Sequence, residues 1–246
     1  EGANQSEEFN NLYKKLDEFV VESSRIIRVF VTGNWCSPKS LCDSWNKMSK
    51  GNYTWNNIQI VWDEPADYYV VVNSPCVNLS HVSKDKIILF HMEPNMNMNM
   101  NMNGMWGEWG NPDSEKFKFC GTHSREYNNN EWHLSKTYKQ LCEQKIVKKD
   151  NLSGIVSTVL SDKYVDPGHK KRIDFVKFLD SKGFKVHVYG NNKFNWQYYR
   201  GSLPPETKDL AMFPYKYVFN AENNSIDNYY TEKIIDAILS ESLIFY

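Results

Sequence analysis

Short runs of mostly apolar, β-branched residues recur along this chain and set the strongest limit on its fold. The clearest are residues 26–32 (IIRVFVT), 68–73 (YYVVVN) and 86–91 (KIILFH). A strand with one solvated face alternates polar and apolar residues, whereas a continuous apolar run suits a parallel sheet covered on both faces. Stretches with helical periodicity separate the runs, as the crossover connections of a parallel sheet require. The chain is therefore predicted to be an α/β protein.

The remaining elements follow the same alternation and fall into two halves. Further strands are predicted near 58–62, 154–159, 185–189, 217–221 and from 243, and helices near 41–48, 131–144 and 167–181. We predict two domains, 1–150 and 151–246, each built on a mainly parallel sheet. The Met/Asn alternation at 95–103 has low complexity and runs into Gly104, so it is predicted to be a loop. One hypothesis makes this loop a lid over a binding cleft.

Charge and hydropathy exclude several classes of protein. The formal net charge is −1 with the signs intermingled, so no extended basic field favours nucleic acid as a partner. No apolar run reaches the roughly 18 residues that cross a bilayer, and the first residues lack a basic-then-apolar signal pattern. No membrane insertion is expected.

The cysteines and glycosylation triplets bear on the cellular compartment. The 5 cysteines are odd in number and contain no Cys-x-x-Cys pair, which predicts free thiols in a reducing compartment. Asn-x-Ser/Thr triplets occur at Asn52, Asn78, Asn151 and Asn223 but arise easily in an asparagine-rich chain. We predict a cytoplasmic protein, and the Golgi lumen stays open if an N-terminal anchor has been removed.

The last predicted helix has a lysine in its first turn, against the usual charge preference of a helix start. The helix carries Ile234, Ile235, Ile238 and Leu239 as an apolar stripe and is predicted to begin near 229–231. The helix dipole favours anions there by about 0.3 to 1 kcal/mol each, so Lys233 points to a nearby negative group. Glu232 is not expected to neutralise it, because adjacent helical positions do not face each other. A phosphate bound at the helix N-terminus would neutralise the charge of Lys233.

A second predicted helix start has the same anomaly. Asp166 and Pro167 fit its cap and first turn, and Ile173, Val176, Phe178 and Leu179 supply most of its apolar stripe. Lys170, Lys171 and Arg172 crowd its beginning. Two cationic helix starts in one half of the chain favour a shared diphosphate. The alternative in both places is an ordinary capped helix with solvated cations.

The residues around these helix starts resemble glycosyltransferase family 10, the alpha-1,3/4-fucosyltransferases. The run Tyr215-Lys-Tyr-Val-Phe-Asn-Ala-Glu-Asn223, followed six residues later by Tyr229-Tyr-Thr-Glu-Lys233, is similar in residues and spacing to the C-terminal signature of that family. The segment 161–172 (SDKYVDPGHKKR) resembles the Ser-Asn segment and following arginine of the family.

The resemblance implies a fold, a reaction and a set of site residues. The fold would be GT-B-like, with two facing Rossmann-like domains: an N-terminal acceptor-side domain and a C-terminal donor domain. The reaction would be inverting transfer of L-fucose from GDP-β-L-fucose to a glycan hydroxyl, with no cofactor. Arg172 and Lys233 would hold the diphosphate, Asn223 and Tyr229 would hydrogen-bond to the donor, and Glu232 would bind sugar or ribose hydroxyls. The general base would be Glu93.

The chain also departs from the family pattern. Ala221 stands where the family usually has phenylalanine, Tyr230 where it has valine, and Glu93 is directly followed by Pro94 where the family commonly places one residue between. The family continues beyond the position of Tyr246, so the donor domain is expected to be truncated. The alternatives are a noncatalytic nucleotide-sugar or glycan-binding relative, a transferase that uses another nucleotide sugar, or an unrelated α/β protein.

Several familiar site motifs are absent from the sequence. There is no Asp-x-Asp pair, so no metal site is predicted, and protein cations would have to stabilise the leaving diphosphate. There is no Gly-x-Gly-x-x-Gly, phosphate-loop Gly-Lys-Ser/Thr or His-Glu-x-x-His. His91 is the second candidate for the base. Trp106 and Trp109 are hypothesised to be exposed and to stack on acceptor sugar rings, or alternatively to pin the adjacent loop to the core.

Overall fold

The computed structural model describes residues 25–93, 106–110, 112–121, 131–145, 149, 152, 154–225 and 229–246. The chain divides into two units, Glu1–Ile88 with Ser114–Phe119, and Leu89–Asp113 with Cys120–Tyr246. The predicted loop at 95–103 lies outside the described residues. The domain boundary near residue 150 stays a prediction.

A six-stranded sheet comes first in the described part of the chain, in the order β2-β3-β1-β4-β5-β6. Its strands are β1 (Ile27–Gly33), β2 (Thr54–Trp55), β3 (Ile58–Val61), β4 (Tyr68–Val72), β5 (Ile87–Phe90) and β6 (Phe119–Gly121), with helix α1 (Pro38–Asn46) after β1 and 3₁₀ turns at Lys84–Lys86 and Gly107–Trp109. Strand β1 pairs in parallel with β3 and β4, and β2 is antiparallel to β3. The adjacent residues Val71 and Val72 are both almost fully buried, so both faces of β4 are covered.

The second sheet has five strands in the order β11-β10-β7-β8-β9, and each of its pairings is parallel. The elements of this region are α2 (Tyr138–Glu143), β7 (Val156–Leu160), α3 (Pro167–Ser181), β8 (Val186–Gly190), β9 (Tyr199–Gly201), α4 (Asp209–Met212), β10 (Tyr217–Phe219), α5 (Glu232–Leu239) and β11 (Leu243–Phe245). The order reverses between β7 and β10, which are neighbours although most of the domain lies between them in sequence. With two mainly parallel sheets, the predicted α/β class is confirmed.

Two clusters of buried side chains form the core around the second sheet. Helix α3 contributes Ile173 and Val176 to one cluster, which also contains Val186 and Val188 of β8. Tyr215 and Val218 belong to the other cluster, with Leu134 and Met212. Successive residues of a strand point to opposite faces, so apolar residues at consecutive positions serve both clusters.

The apolar stripes of two helices differ from the sequence-based prediction. On α3, Ile173 and Val176 are fully buried, but Phe178 is 53% exposed because two positions correspond to about 200° around a helix. On α5, Ile238 is 59% exposed, whereas Asp236 and Ala237 are fully buried. The buried face of α5 is therefore centred on Asp236 and Ala237 rather than on the predicted apolar stripe.

Smaller predictions can also be compared with the structure. The helix predicted at 131–144 is confined to Tyr138–Glu143. All five cysteines are free thiols. Within the described ranges, no helix combines the length and apolar character that crossing a membrane would need.

Candidate functional site

The reversal of strand order in the second sheet brings two candidate segments together. Strand β7 ends at Leu160 and continues into Ser161, while β10 ends at Phe219 and continues into residues 220–223. The two strands are parallel neighbours, so both segments leave the same edge of the sheet. In open α/β sheets, ligands bind outside the carboxyl ends of the strands at such a reversal.

Arg172 reaches both segments from helix α3. The helix has Asp166 as N-cap and Pro167 in its first turn, as predicted. Arg172 is buried, and its guanidinium donates to Ser161 Oγ at 2.8 Å and to the Ala221 carbonyl at 3.5 Å. Its Nε is buried with no hydrogen-bond partner among the described residues. Burial lowers the pKa of Arg172, opposed by the negative charge of Glu222. The two hydrogen bonds thus leave several N–H donors of the guanidinium unused, including that of Nε.

The other two basic residues at this helix start do not face the site. Lys170 and Lys171 are exposed, which agrees with the alternative that a run of basic residues is solvated. Arg172 alone of the three is buried. The cationic helix start therefore reduces to one inward-pointing guanidinium.

Lys233 has a carboxylate partner within the protein. Helix α5 begins at Glu232 with Thr231 as N-cap. The ammonium of Lys233 lies 3.1 Å from Glu222 Oε2, donates to Thr231 Oγ1 at 2.8 Å and lies 3.5 Å from Glu232 Oε1. The negative group expected near Lys233 is thus present within the protein as Glu222. The expectation that Glu232 does not face the lysine is wrong, because the long lysine side chain reaches it.

Glu222 organises the start of α5, and the sequence reasoning did not single it out. Its carboxylate accepts hydrogen bonds from the Thr231 backbone N–H at 2.9 Å, from the Thr231 hydroxyl at 2.8 Å and from the Tyr246 hydroxyl at 2.8 Å. It therefore compensates the free N–H end of the helix as well as Lys233. The only signal in the sequence was its place inside the conspicuous run 215–223.

Glu232 is held as a carboxylate by surrounding cations. Its side chain is 12% exposed and lies 2.7 Å from the ammonium of Lys208. Burial opposes ionisation, but the charges of Lys208, Lys233 and His133 outweigh it and hold the pKa of Glu232 well below its usual range. Lys208 was not a candidate from sequence.

A chain of hydrogen bonds connects Glu93 with two donor-site candidates in the second unit. The Asn223 amide donates to Glu93 Oε2 at 3.3 Å, and the Tyr229 hydroxyl donates to the Asn223 side-chain oxygen at 2.7 Å. Glu93 follows β5, and Tyr229 is buried. Desolvation by surrounding protein raises the pKa of Glu93, although the residue is exposed to solvent, and Asn223, Lys233 and Lys163 oppose the shift. These three residues thus lie together.

The remaining candidates are less suited to contact a ligand. His91 is fully buried, its Nε2 donates to the Trp109 carbonyl at 2.7 Å, and burial lowers its pKa. Trp106 is 4% exposed and packs against His91 with ring centroids 5.7 Å apart. The hypothesis that Trp106 is exposed is wrong, and its alternative role in packing agrees with the structure.

Metal-ligating groups and one cavity can also be compared with the positions of these residues. Among the described residues, no group of three or more His, Cys, Asp or Glu could hold a metal ion. A cavity of about 410 Å³ occurs in the first unit, near the amino ends of β1, β4 and β5; it is lined by Arg25, Ile27, Asp67, Tyr68, Asp85, Lys86 and Lys118. None of the predicted site residues lines it.

Comparison with known proteins gives one structural similarity. No family model and no curated protein matches the chain. Among solved structures, that of an alpha1,3-fucosyltransferase is similar, with 18% sequence identity, coverage of 92% of this chain and 69% of that chain, and a TM-score of 0.49. A similarity at this level assigns neither a substrate nor a reaction.

Proposed function

We propose that this protein is a metal-independent, inverting glycosyltransferase with a GT-B-like arrangement, which transfers L-fucose from GDP-β-L-fucose to a glycan hydroxyl. The observation that carries the proposal is the assembly of Arg172, Asn223, Tyr229, Glu232 and Lys233 at the strand-order reversal, with Glu93 hydrogen-bonded to Asn223. The donor sugar and an alpha-1,3-type linkage follow from the family resemblance of the residues in and around this assembly.

In this proposal, Arg172 and Lys233 bind the diphosphate of the donor. Sugar transfer builds negative charge on the departing diphosphate, and fixed cations stabilise it. The buried guanidinium of Arg172 keeps N–H donors that its two hydrogen bonds do not use, and a guanidinium can bind phosphate oxygens through two parallel hydrogen bonds. Lys233 would exchange Glu222 for a phosphate oxygen at the start of α5, where backbone N–H groups also favour an anion.

Glu93 is the proposed general base. An inverting transfer needs a base that removes the proton of the acceptor hydroxyl as that oxygen attacks the anomeric carbon. The raised pKa of Glu93 suits this role, because a base is most effective when its pKa approaches the working pH. Asn223 would connect the base with the donor-binding residues. Its amide nitrogen donates to Glu93, and its side-chain oxygen accepts from the Tyr229 hydroxyl.

Two measurements test the proposal. Calorimetric titration with GDP, GDP-fucose, UDP and UDP-glucose should give binding of the guanine nucleotides, and no binding of any nucleotide would contradict a donor site. Transfer of labelled fucose to a glycan array, in the presence of a chelator, should then give product. Binding of GDP-fucose without transfer to any acceptor would favour a noncatalytic nucleotide-sugar binder instead.

A further inference from the structure

Lys208 lies immediately before helix α4 and contacts two carboxylates of helix α5. Its ammonium is 2.7 Å from Glu232 Oε1 and 3.2 Å from Asp236 Oδ2. Residues four apart lie on the same face of a helix, so one ammonium can contact both. The side chains of Lys208, Glu232 and Asp236 are 19%, 12% and 0% exposed, respectively. This is a largely buried arrangement of one cation between two acids.

Asp236 anchors the ammonium rather than facing a ligand. Its Oδ1 accepts the backbone N–H of His133 at 2.7 Å, and its side chain has no exposed surface. An ionised carboxylate at such a position is costly unless it is paired and hydrogen-bonded. Lys208 supplies the pairing, and Asp236 in turn fixes where the Lys208 ammonium lies.

The two oxygens of Glu232 have different surroundings. Oε1 lies 2.7 Å from Lys208 Nζ, 3.5 Å from Lys233 Nζ and 3.6 Å from His133 Nδ1. Oε2 has no hydrogen bond or ion pair to the described residues. A carboxylate held firmly through one oxygen presents the other in a fixed direction and keeps its lone pairs available for a hydroxyl.

We propose that Lys208 is a positioning residue of the nucleotide-sugar site: it holds Glu232 through Oε1 so that Oε2 accepts a hydroxyl of the bound nucleotide sugar. The inference rests on the proposed function, because it names the group that orients one of the donor-binding residues. Lys208 itself does not touch the donor. Its effect passes through Glu232 and is anchored by Asp236.

A purely structural ion pair predicts different behaviour. Replacing a buried cation would then change the stability of the fold without altering which part of a ligand binds well. A positioning role instead predicts selective loss of the ligands that carry the hydroxyl recognised by Glu232. It also predicts that the effect of changing Lys208 disappears when Glu232 no longer has a carboxylate.

The first experiment compares Lys208→Met with the wild type by calorimetric titration with GDP-fucose, GDP and inorganic pyrophosphate. Loss of a hydrogen bond to a charged group should weaken GDP-fucose binding about tenfold or more. The affinity for GDP should decrease by the same factor if Glu232 binds a ribose hydroxyl, and should be unaffected if Glu232 binds the fucose. Pyrophosphate binding should be nearly unchanged. Equal weakening of all three ligands would overturn the proposal, because Lys208 would then act only as a nearby positive charge.

The second experiment is a double-mutant cycle with Glu232→Gln. If Lys208 acts through Glu232, Lys208→Met should have little further effect on GDP-fucose affinity in the Glu232→Gln protein. The same loss in both backgrounds would show that Lys208 acts independently of Glu232 and would overturn the proposal. The doubly substituted protein leaves one buried carboxylate, Asp236, without its cation rather than two, so it should be less destabilised than Lys208→Met alone.

The pH dependence of binding provides a further readout that a structural role would not change. In the wild type, Glu232 stays ionised between pH 5 and 8 because its pKa is held low by Lys208, Lys233 and His133 against burial. In Lys208→Met, burial and the neighbouring Asp236 should raise that pKa, so GDP-fucose affinity should decrease as the pH falls through this range. Lys233 and His133 face Glu232 in both proteins, so their effect on Glu232 is the same in the two pH profiles. Unchanged profiles would contradict the proposal.

Two controls complete the design. Lys208→Arg keeps the positive charge and should retain most of the affinity. Lys182→Met removes an exposed lysine at the end of α3, whose ammonium lies over the Phe178 ring, and should bind like the wild type. If the wild type binds none of the guanine nucleotides, the proposed function itself fails. Wild-type binding with an unaffected Lys208→Met protein rejects only the role of Lys208.

Discussion

Gly168 packs directly against the backbone of Asn223. A Cβ atom placed on Gly168 would lie 2.3 Å from both the carbonyl carbon and the carbonyl oxygen of Asn223 and 2.8 Å from the Asn224 nitrogen. The first turn of α3 therefore fits against the segment after β10 only because residue 168 has no side chain. This contact joins the element that carries Arg172 to the residue that touches Glu93 and Tyr229.

Gly168→Ala should weaken both the fold and the site. Alanine in a helix normally stabilises by up to about 1 kcal/mol relative to glycine, but the overlap with backbone atoms cannot be relieved by rotating a side chain, and overpacking costs about 1 to 3 kcal/mol. We expect a lower melting temperature and weaker GDP binding. Lys170→Ala, an exposed position in the same helix, is the control. A Gly168→Ala protein that is more stable and binds GDP normally would show that the close approach is not required.

Lys233→Ala should remove measurable turnover and leave a folded protein. Loss of one group that stabilises developing charge costs about 2.7 to 4 kcal/mol, or 10² to 10³ in rate. Glu222 keeps its hydrogen bonds from Thr231 and Tyr246, so the start of α5 should persist. Transfer rates and circular dichroism check both parts, with Lys171→Ala as the exposed-lysine control. Near-wild-type turnover would refute the role of Lys233.

Glu93→Gln should reduce kcat/KM by about 10² to 10⁴ and change its pH dependence. The base works in its ionised form, so wild-type activity should fall as the pH decreases through the pKa of Glu93, which desolvation holds above its ordinary value. The variant should lose this acid limb. Its affinity for GDP should be retained, because a glutamine oxygen can still accept from the Asn223 amide. Full activity would mean that the base lies elsewhere.

Removal of divalent metal should leave transfer unaffected. The proposed diphosphate site relies on Arg172, Lys233 and the helix N-terminus for positive charge, so a chelator should not change kcat or KM. Added Mg²⁺ or Mn²⁺ should likewise not restore Lys233→Ala. Activity that disappears with chelator and returns with one of these ions would show that the proposed mechanism is incomplete.

The elements of the second half could be predicted because their signals are local. The alternation of short strand-like runs with helical stretches identified β7, β8 and β10, and Asp166-Pro167 marked the start of α3. Arg172 was distinguishable from Lys170 and Lys171 only through the family resemblance, since charge alone does not say which of three adjacent cations turns inward. The helix period separates them by about 100° per residue, and the packing of α3 determines the direction.

The partners of the site residues could not be predicted, because they depend on contacts distant in sequence. Lys208 meets Glu232 and Asp236 from the beginning of another helix, and no spacing rule connects them. Periodicity also treats a polar residue as outward-facing, so it placed Ile238 in the interior and missed Asp236. The counter-ion of Lys233 was missed for the same reason, because Glu222 lies in the preceding segment.

The carboxylate of Glu222 already pairs with Lys233, so it competes with any other anion for the lysine ammonium. A phosphate group bound to Lys233 as proposed would have to replace Glu222, so the affinity gained would be the difference between two interactions rather than the full strength of one. With Lys233 paired to Glu222, the proposed donor site offers less uncompensated positive charge to inorganic phosphate or other polyanions. Only ligands that make enough additional contacts would bind tightly enough to replace Glu222. The strength of the Glu222–Lys233 interaction would therefore contribute to ligand selectivity.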